Sequence, residues 1–237
     1  MSDDKEYGSK YWLNKLIEND SLNKELERID GIRVIKGTGV PFSGNQAEKT
    51  LEKYLEDHGI INKENPLHGW WVDHPGKQPT WDYICQAKIS GKEGLILLEA
   101  KAHRSETSKP KKSEPLKTES TSDYSFEKRQ RNHKKIESNI TSQISVLGGD
   151  YSGYYQVANR IAYAIKAREV LDRPVLLVFL GFINMDSHFT DRFMTQPAWE
   201  SKMNEILKSL KLVHLTKTPI QDLSASPGLR ILSYPDK

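Results

Sequence analysis

The chain has 237 residues and a formal charge of +3, with 28% charged and 36% hydrophobic residues. This length suits one domain with a proper core, so we treat residues 1–237 as a single domain. No apolar run reaches the roughly 18 residues that a membrane span requires, and the charged start 1–6 is unlike a signal peptide. The single Cys85 excludes an internal disulfide and a multi-cysteine zinc site. We therefore expect a cytoplasmic protein without a membrane partner.

Positive charge is concentrated in one part of the sequence. Residues 101–135 contain eleven Lys or Arg against five Asp or Glu, a net +6, which leaves the remainder near −3. Such a concentration is typical of a surface that meets phosphate groups. A solvated loop has a similar composition, and that alternative stays open.

The N-terminal part predicts two helices within 5–29, interrupted at 19–21, and a short strand over 32–36. We treat 1–40 as an N-terminal extension that serves either as a lid or as a dimer element. The next helix is predicted from a capping-box pattern of Ser43 and Gln46, and it ends at Gly59.

The first strand of the sheet is predicted at 69–73. A hairpin follows, with strands over 81–89 and 94–102 about a turn at 90–94. The second strand is apolar on both faces and therefore belongs in the middle of a sheet. A strand that is buried on both faces explains a run of consecutive apolar residues here.

Three charged residues mark one end of this hairpin. Side chains on a strand repeat with period 2, so Glu99 and Lys101 share a face. Asp82 lies near the start of the first hairpin strand, so the turn at 90–94 brings it to the same end of the hairpin as Glu99. Two carboxylates and a lysine can hold a hydrated divalent cation, whereas the simpler interpretation is a surface ion pair.

The second half of the sequence predicts a loop followed by alternating helices and strands. The Ser-, Lys- and Pro-rich segment 104–125 is predicted as a mobile basic loop. Helices are predicted at 126–147, 153–171 and 198–213, a buried strand at 174–182 and an edge strand at 229–233. The second of these helices presents Gln156 and Arg160 on its polar face.

Asp82, followed by Glu99-Ala100-Lys101 and a helix that bears Gln156, resembles the PD-(D/E)xK nucleases of the restriction-endonuclease-like fold. The resemblance implies an α/β fold with an αβββαβ core over 43–182. A central mixed sheet would be flanked by helices, with extra N- and C-terminal helices and residues 183–237 closing the chain. The chain departs from the family pattern at two positions. Trp81 rather than Pro precedes Asp82, and Arg160 stands where a RecB-like Gln-x-x-x-Tyr element has Tyr.

The resemblance also implies metal-dependent hydrolysis of phosphodiesters. Asp82, Glu99 and the carbonyl of Ala100 would bind Mg²⁺ or Mn²⁺, and Glu48 on the first core helix would complete the site. Lys101 would orient or help deprotonate the attacking water, while Gln156 would hold the nucleophile or the scissile strand.

Nucleic acid is the partner that the resemblance implies, with DNA favoured over RNA and an endonuclease favoured over other nucleases. A homodimer is left open. The candidate contacts are basic residues beyond the site together with one histidine: Arg160, Lys128, Arg129, Arg131, Lys134, Lys135 and His103. The main alternative is a catalytically inactive nucleic-acid-binding or assembly protein that retains the nuclease fold, and an unrelated hydrolase is a weaker third.

Overall fold

The computed structural model describes residues 8–41, 47–72, 78–107, 122–144, 151–185, 190–219, 223 and 227–234. Within these ranges the chain forms seven helices and seven strands. The helices are α1 Ser9–Glu18, α2 Ser21–Glu27, α3 Leu51–Asp57, α4 Asp123–Ile144, α5 Tyr155–Leu171, α6 Gln196–Ser209 and α7 His214–Lys217. The strands are β1 Ile32–Val34, β2 Lys49–Thr50, β3 Thr80–Trp81, β4 Tyr83–Ile89, β5 Lys92–Lys101, β6 Val175–Phe182 and β7 Gly228–Tyr234.

Five of the strands form a mixed sheet in the order β1-β4-β5-β6-β7. The pairs β1–β4 and β4–β5 are antiparallel, whereas β5–β6 and β6–β7 are parallel. The α/β class and the central mixed sheet flanked by helices are thereby confirmed. The finer assignment to an αβββαβ nuclease core stays a prediction.

The β4–β5 hairpin closes with a two-residue turn at Ser90 and Gly91. Both residues have positive φ, 48° and 82°, which is the turn geometry that matches the twist of paired strands. The register pairs Tyr83 with Leu98, so the next residues along each strand are Asp82 and Glu99. The tight turn therefore returns the two carboxylates to one end of the sheet.

Two helical layers cover the sheet. On one face, Leu13 of α1 and Leu26 of α2 pack in the cluster that contains the even-numbered β5 residues. On the other face, Ile161 of α5 packs in the cluster that contains Leu95 and Leu97. Glu99 and Lys101 continue this odd-numbered series, so their side chains lie beneath α5.

Two sequence predictions about the first strand and first core helix were wrong. Residues 69–72 form turns rather than a strand, and Trp71 is buried in the core. Asp73 lies outside the described residues. The first strand of the five-stranded sheet is instead β1, whose residues we had placed in an N-terminal extension.

The core helix is shorter than predicted, because α3 begins at Leu51. Thr50 is its N-cap, and the Thr50 hydroxyl accepts a hydrogen bond from the Lys53 N–H. The residues just before α3 pair with β3 in a two-stranded ribbon, which removes them from the helix. Ser43 and Gln46 lie outside the described residues, and Glu48 lies before α3 rather than on it.

The other predicted helices and strands agree with the structure to within a few residues, whereas α7 was not predicted. Residues 108–121 of the predicted basic loop lie outside the described residues. Arg104–Glu106 form one 3-10 turn, and α4 begins at Asp123, earlier than predicted. In the described part of the chain, no helix has both the length and the apolar character that crossing a bilayer demands.

Candidate active site

Five of the predicted site residues converge at the end of the hairpin. Asp82 immediately precedes β4, and Glu99 and Lys101 lie at the end of β5. Gln156 and Arg160, one turn apart on α5, reach down to Glu99 from the helix above. Residues that are far apart in sequence thus form one buried polar cluster beneath α5.

Glu99 is the centre of this cluster and is 1% exposed. Its Oε1 accepts hydrogen bonds from Lys101 Nζ and from Gln156 Nε2, the latter at 3.0 Å. Its Oε2 accepts from Arg160 Nε at 2.5 Å. Burial alone would raise the pKa of Glu99, but the charges of Arg160 and Lys101 outweigh burial and hold the pKa below its usual value. Glu99 is therefore an ionised carboxylate that three donors already engage.

Lys101 remains a cation despite being 4% exposed. Burial would lower its pKa, yet the carboxylates of Glu99 and Asp82 raise the pKa above the usual value. An ammonium with a raised pKa can orient a water molecule or face a developing negative charge. It is poorly suited to accept a proton at neutral pH.

Asp82 has the opposite electrostatic character. Its Oδ2 accepts a hydrogen bond from the Ala100 N–H at 2.7 Å. Burial, followed by the negative charge of Glu99, raises the pKa of Asp82 to about 7, although Lys101 and Arg160 act to lower it. The ionised form of Asp82 is thus disfavoured in the protein alone, which is the situation that a bound cation would relieve.

Arg160 is held by more than Glu99. Its Nη2 donates to the Thr80 carbonyl at 2.8 Å, and its Nη1 donates to Asn159 Oδ1 at 3.2 Å. The guanidinium also lies over the indole of Trp81, 5.0 Å from the ring centroid. The two positions at which the chain departs from the family pattern, 81 and 160, are therefore in contact. No local sequence pattern links these two positions, which lie 79 residues apart.

Glu48 lies close to the site, but its carboxylate already has two other partners. The β2–β3 register pairs Lys49 with Trp81, so its continuation brings Glu48 towards Asp82. The Glu48 carboxylate accepts from the Thr80 hydroxyl at 2.8 Å and forms an ion pair with Lys10 at 3.0 Å. Its role as a metal ligand stays a prediction, as does that of the Ala100 carbonyl.

Glu52, in the first turn of α3, is more deeply buried than Glu48. It is 6% exposed, and its Oε2 lies 3.5 Å from His68 Nδ1. Burial raises its pKa, and Oε1 has no hydrogen-bond partner within the described part of the chain. This second buried acidic group was not predicted, because sequence periodicity alone does not distinguish a buried carboxylate from an exposed one.

His103 is poorly placed for a phosphate. The residue is 9% exposed, and its ring Nδ1 lies 2.8 Å from the Ser105 hydroxyl. Glu106 and Asp191 approach the ring within 3.7 and 3.9 Å, so the surroundings are acidic. The histidine caps the short 3-10 turn that follows β5.

The basic residues of α4 differ in exposure. Arg131 and Lys134 are exposed, whereas Lys128, Arg129 and Lys135 are partly buried. Because α4 packs against α5, the exposed pair lies on the helix beside the one that supplies Gln156 and Arg160. Their contact with nucleic acid stays a prediction.

Some polar groups of the cluster are available to a hydrated cation, and others are already engaged. Among the described residues, Asp82 Oδ1 has no hydrogen bond and Gln156 Oε1 is buried without a partner, so both are available to an ion or its waters. Mg²⁺ needs only one or two carboxylates, because it keeps several waters. Glu99, by contrast, is already engaged. No group of three or more His, Cys, Asp or Glu side chains suited to a metal occurs in the described ranges.

Comparison of the chain with protein-family models, with curated proteins and with solved structures finds no match. The chemistry of the site therefore has to be inferred from its own residues.

Proposed function

We propose that the protein is a metal-dependent nuclease that hydrolyses phosphodiester bonds in DNA, acting as an endonuclease. One observation carries the proposal: Asp82, Glu99 and Lys101 meet at one end of a central hairpin, directly beneath Gln156. Buried charged groups are unfavourable unless they are paired, and a raised pKa beside a paired carboxylate is typical of a functional site.

The residues would divide the chemistry as follows. Asp82 and Glu99 would hold Mg²⁺ or Mn²⁺ through carboxylate oxygens, and the bound ion would make hydroxide accessible near neutral pH. Lys101, which stays protonated, would orient the attacking water and face the charge that develops on the phosphate. Gln156 Oε1, which has no hydrogen-bond partner among the described residues, would accept a hydrogen bond from that water.

Incubation with supercoiled plasmid and linear DNA in Mg²⁺, in Mn²⁺ or in EDTA tests the proposal. Cleavage is expected only with a divalent cation. Lys101→Met should reduce turnover by about 10²- to 10³-fold, because it removes a charge that faces the transition state, while Mn²⁺ binding measured by EPR persists.

Lys88→Met is the matched control for this substitution. Lys88 is an exposed lysine at the other end of the same hairpin, and its replacement should leave turnover unchanged. Cleavage that continues in EDTA, or full turnover by Lys101→Met, would contradict the proposed mechanism.

The exposed basic residues of α4 give a prediction about binding. If Arg131 and Lys134 contact the phosphate backbone, the double substitution to Gln should weaken binding to all duplex sequences alike. It should also flatten the log–log salt dependence, since each neutralised phosphate contributes a slope of about −0.9. Fluorescence anisotropy of a labelled duplex at several salt concentrations measures both quantities.

Lys88 and Lys92 provide the control for charge number, because both are exposed and lie at the hairpin end remote from the site. Their double substitution to Gln removes the same charge but should leave the salt slope nearly unchanged. Equal effects of the two double variants would mean that α4 is only a solvated helix face.

A second candidate function has a specific observation in its favour. Glu99 already accepts from Lys101, Gln156 and Arg160, and such saturation is also expected of a structural ion network in a non-catalytic nucleic-acid-binding protein. That protein would bind DNA with the same salt dependence but would cleave in none of the metal conditions.

A further inference from the structure

The guanidinium of Arg160 is fixed in place independently of Glu99. Each of its nitrogens donates a hydrogen bond: Nε to Glu99, Nη1 to Asn159 and Nη2 to the Thr80 carbonyl. The indole of Trp81 supports one face of the guanidinium, and the side chain is only 8% exposed. Two hydrogen bonds and the ring would still hold Arg160 if Glu99 turned to another partner.

The cluster contains as many cations as carboxylates, so even full ionisation of Asp82 leaves no excess negative charge for an added ion. With both carboxylates ionised, Asp82 and Glu99 supply two negative charges, and Lys101 and Arg160 supply two positive charges. A divalent cation that approaches Asp82 therefore meets two fixed cations in a region of low dielectric constant, where like charges repel strongly. It also meets a Glu99 whose two oxygens already accept hydrogen bonds.

We propose that Arg160 is a fixed internal cation that weakens divalent-ion binding at Asp82 and Glu99 and makes this binding depend on a bound phosphate backbone. This inference rests on the proposed function. A phosphodiester adds negative charge and oxygen ligands next to the ion, which offsets the repulsion from Arg160 and Lys101. Reciprocity then requires that the ion strengthens nucleic-acid binding by the same factor.

The first test measures Mn²⁺ binding to the full chain by EPR in the absence of nucleic acid. Arg160→Met removes the charge and fills the space, so it should tighten Mn²⁺ binding by about tenfold or more. Arg160→Lys retains the charge and should stay close to wild type, which separates charge from packing. Lys166→Met is the matched control. It removes a cation paired with Glu169 on the same helix and should change nothing.

The second test needs only the wild-type chain and therefore does not depend on a variant that folds. The affinity for a labelled duplex is measured by anisotropy with and without Ca²⁺ at constant ionic strength, and the duplex is checked for integrity. Ca²⁺ has the same preference for oxygen ligands. The affinity for the duplex should rise about tenfold with Ca²⁺. By reciprocity, the duplex should then tighten binding of the ion by the same factor.

The outcomes separate this inference from the proposed function. The role of Arg160 is overturned if Arg160→Met binds Mn²⁺ no more tightly than wild type does. It is also overturned if Ca²⁺ leaves the affinity for the duplex unchanged. Either result counts even if the wild type cleaves DNA with Mg²⁺. Failure of every variant to bind Mn²⁺, together with absence of cleavage, overturns both.

Discussion

Replacing Glu99 with alanine is expected to destabilise the protein by about 3–5 kcal/mol, because it leaves two buried cations without their shared counter-ion. Lys101 and Arg160 are 4% and 7% exposed, and both donate to the Glu99 carboxylate. Asp82 would remain nearby, but its own hydrogen bond goes to a backbone N–H. This replacement should therefore lower the free energy of unfolding by a large fraction and also abolish metal binding.

Urea unfolding at neutral pH measures the effect, and a second substitution tests its cause. If unpaired charge is responsible, the double variant Glu99→Ala with Arg160→Met should be more stable than Glu99→Ala alone. Glu93→Ala on the same strand is the control, since Glu93 is exposed and should change stability by less than about 0.5 kcal/mol. A Glu99→Ala variant as stable as wild type would show that the ion network does not support the fold.

The part of the site that lies on the hairpin could be predicted from the sequence, because it depends on local rules. Strand parity placed Glu99 and Lys101 on one face, and the short turn returned Asp82 to the same end. These relations need only the period of a strand and the length of a turn. They do not depend on contacts with the rest of the chain.

The part that depends on tertiary contacts could not be predicted. Arg160 reaches Glu99 across 61 residues of sequence and Thr80 across 80 residues, and no local pattern encodes either pair. From the sequence, Trp81 is only a departure from the motif. In the structure its indole supports the guanidinium of Arg160.

The start of α3 was misplaced for a similar reason. Pairing between β2 and β3, a contact across roughly 30 residues, competes with helix formation just before Leu51. The polar pattern at Ser43 and Gln46 is compatible with a helix start, but tertiary pairing decided where α3 begins.

Replacing Asp82 with asparagine is expected to stabilise the metal-free protein, whereas Glu99→Ala is expected to destabilise it. The carboxyl has a pKa of about 7 in the folded protein and an ordinary value of 3.8, because burial and Glu99 disfavour its charge. At a pH below 3.8 it is protonated in both states and has no effect. As the pH rises from 3.8 to 7, unfolding releases a proton and stability falls by about 1.4 kcal/mol per pH unit.

Asparagine removes this penalty while its side-chain oxygen can still accept from the Ala100 N–H. In EDTA at pH 8, Asp82→Asn should therefore exceed wild type in stability by roughly 4 kcal/mol, and the difference should shrink towards pH 4. Urea unfolding across this pH range measures it. A difference that is independent of pH, or that favours wild type, would contradict the assignment.

Asp57 supplies a control of opposite sign. Hydrogen bonds from Lys49 and Lys53 lower its pKa to about 2, so its ionised form contributes stability that is present above pH 3.8 and lost as the pH falls towards 2. Asp57→Asn should accordingly be less stable than wild type at neutral pH, with the difference vanishing in acid. A saturating concentration of Mg²⁺ should then stabilise wild type more than Asp82→Asn, because the charged carboxylate holds the ion more tightly than a neutral amide oxygen does. A residue that weakens the metal-free fold and gains stability from a cation is what a metal ligand requires, whereas a purely structural carboxyl with a raised pKa would show only the first effect.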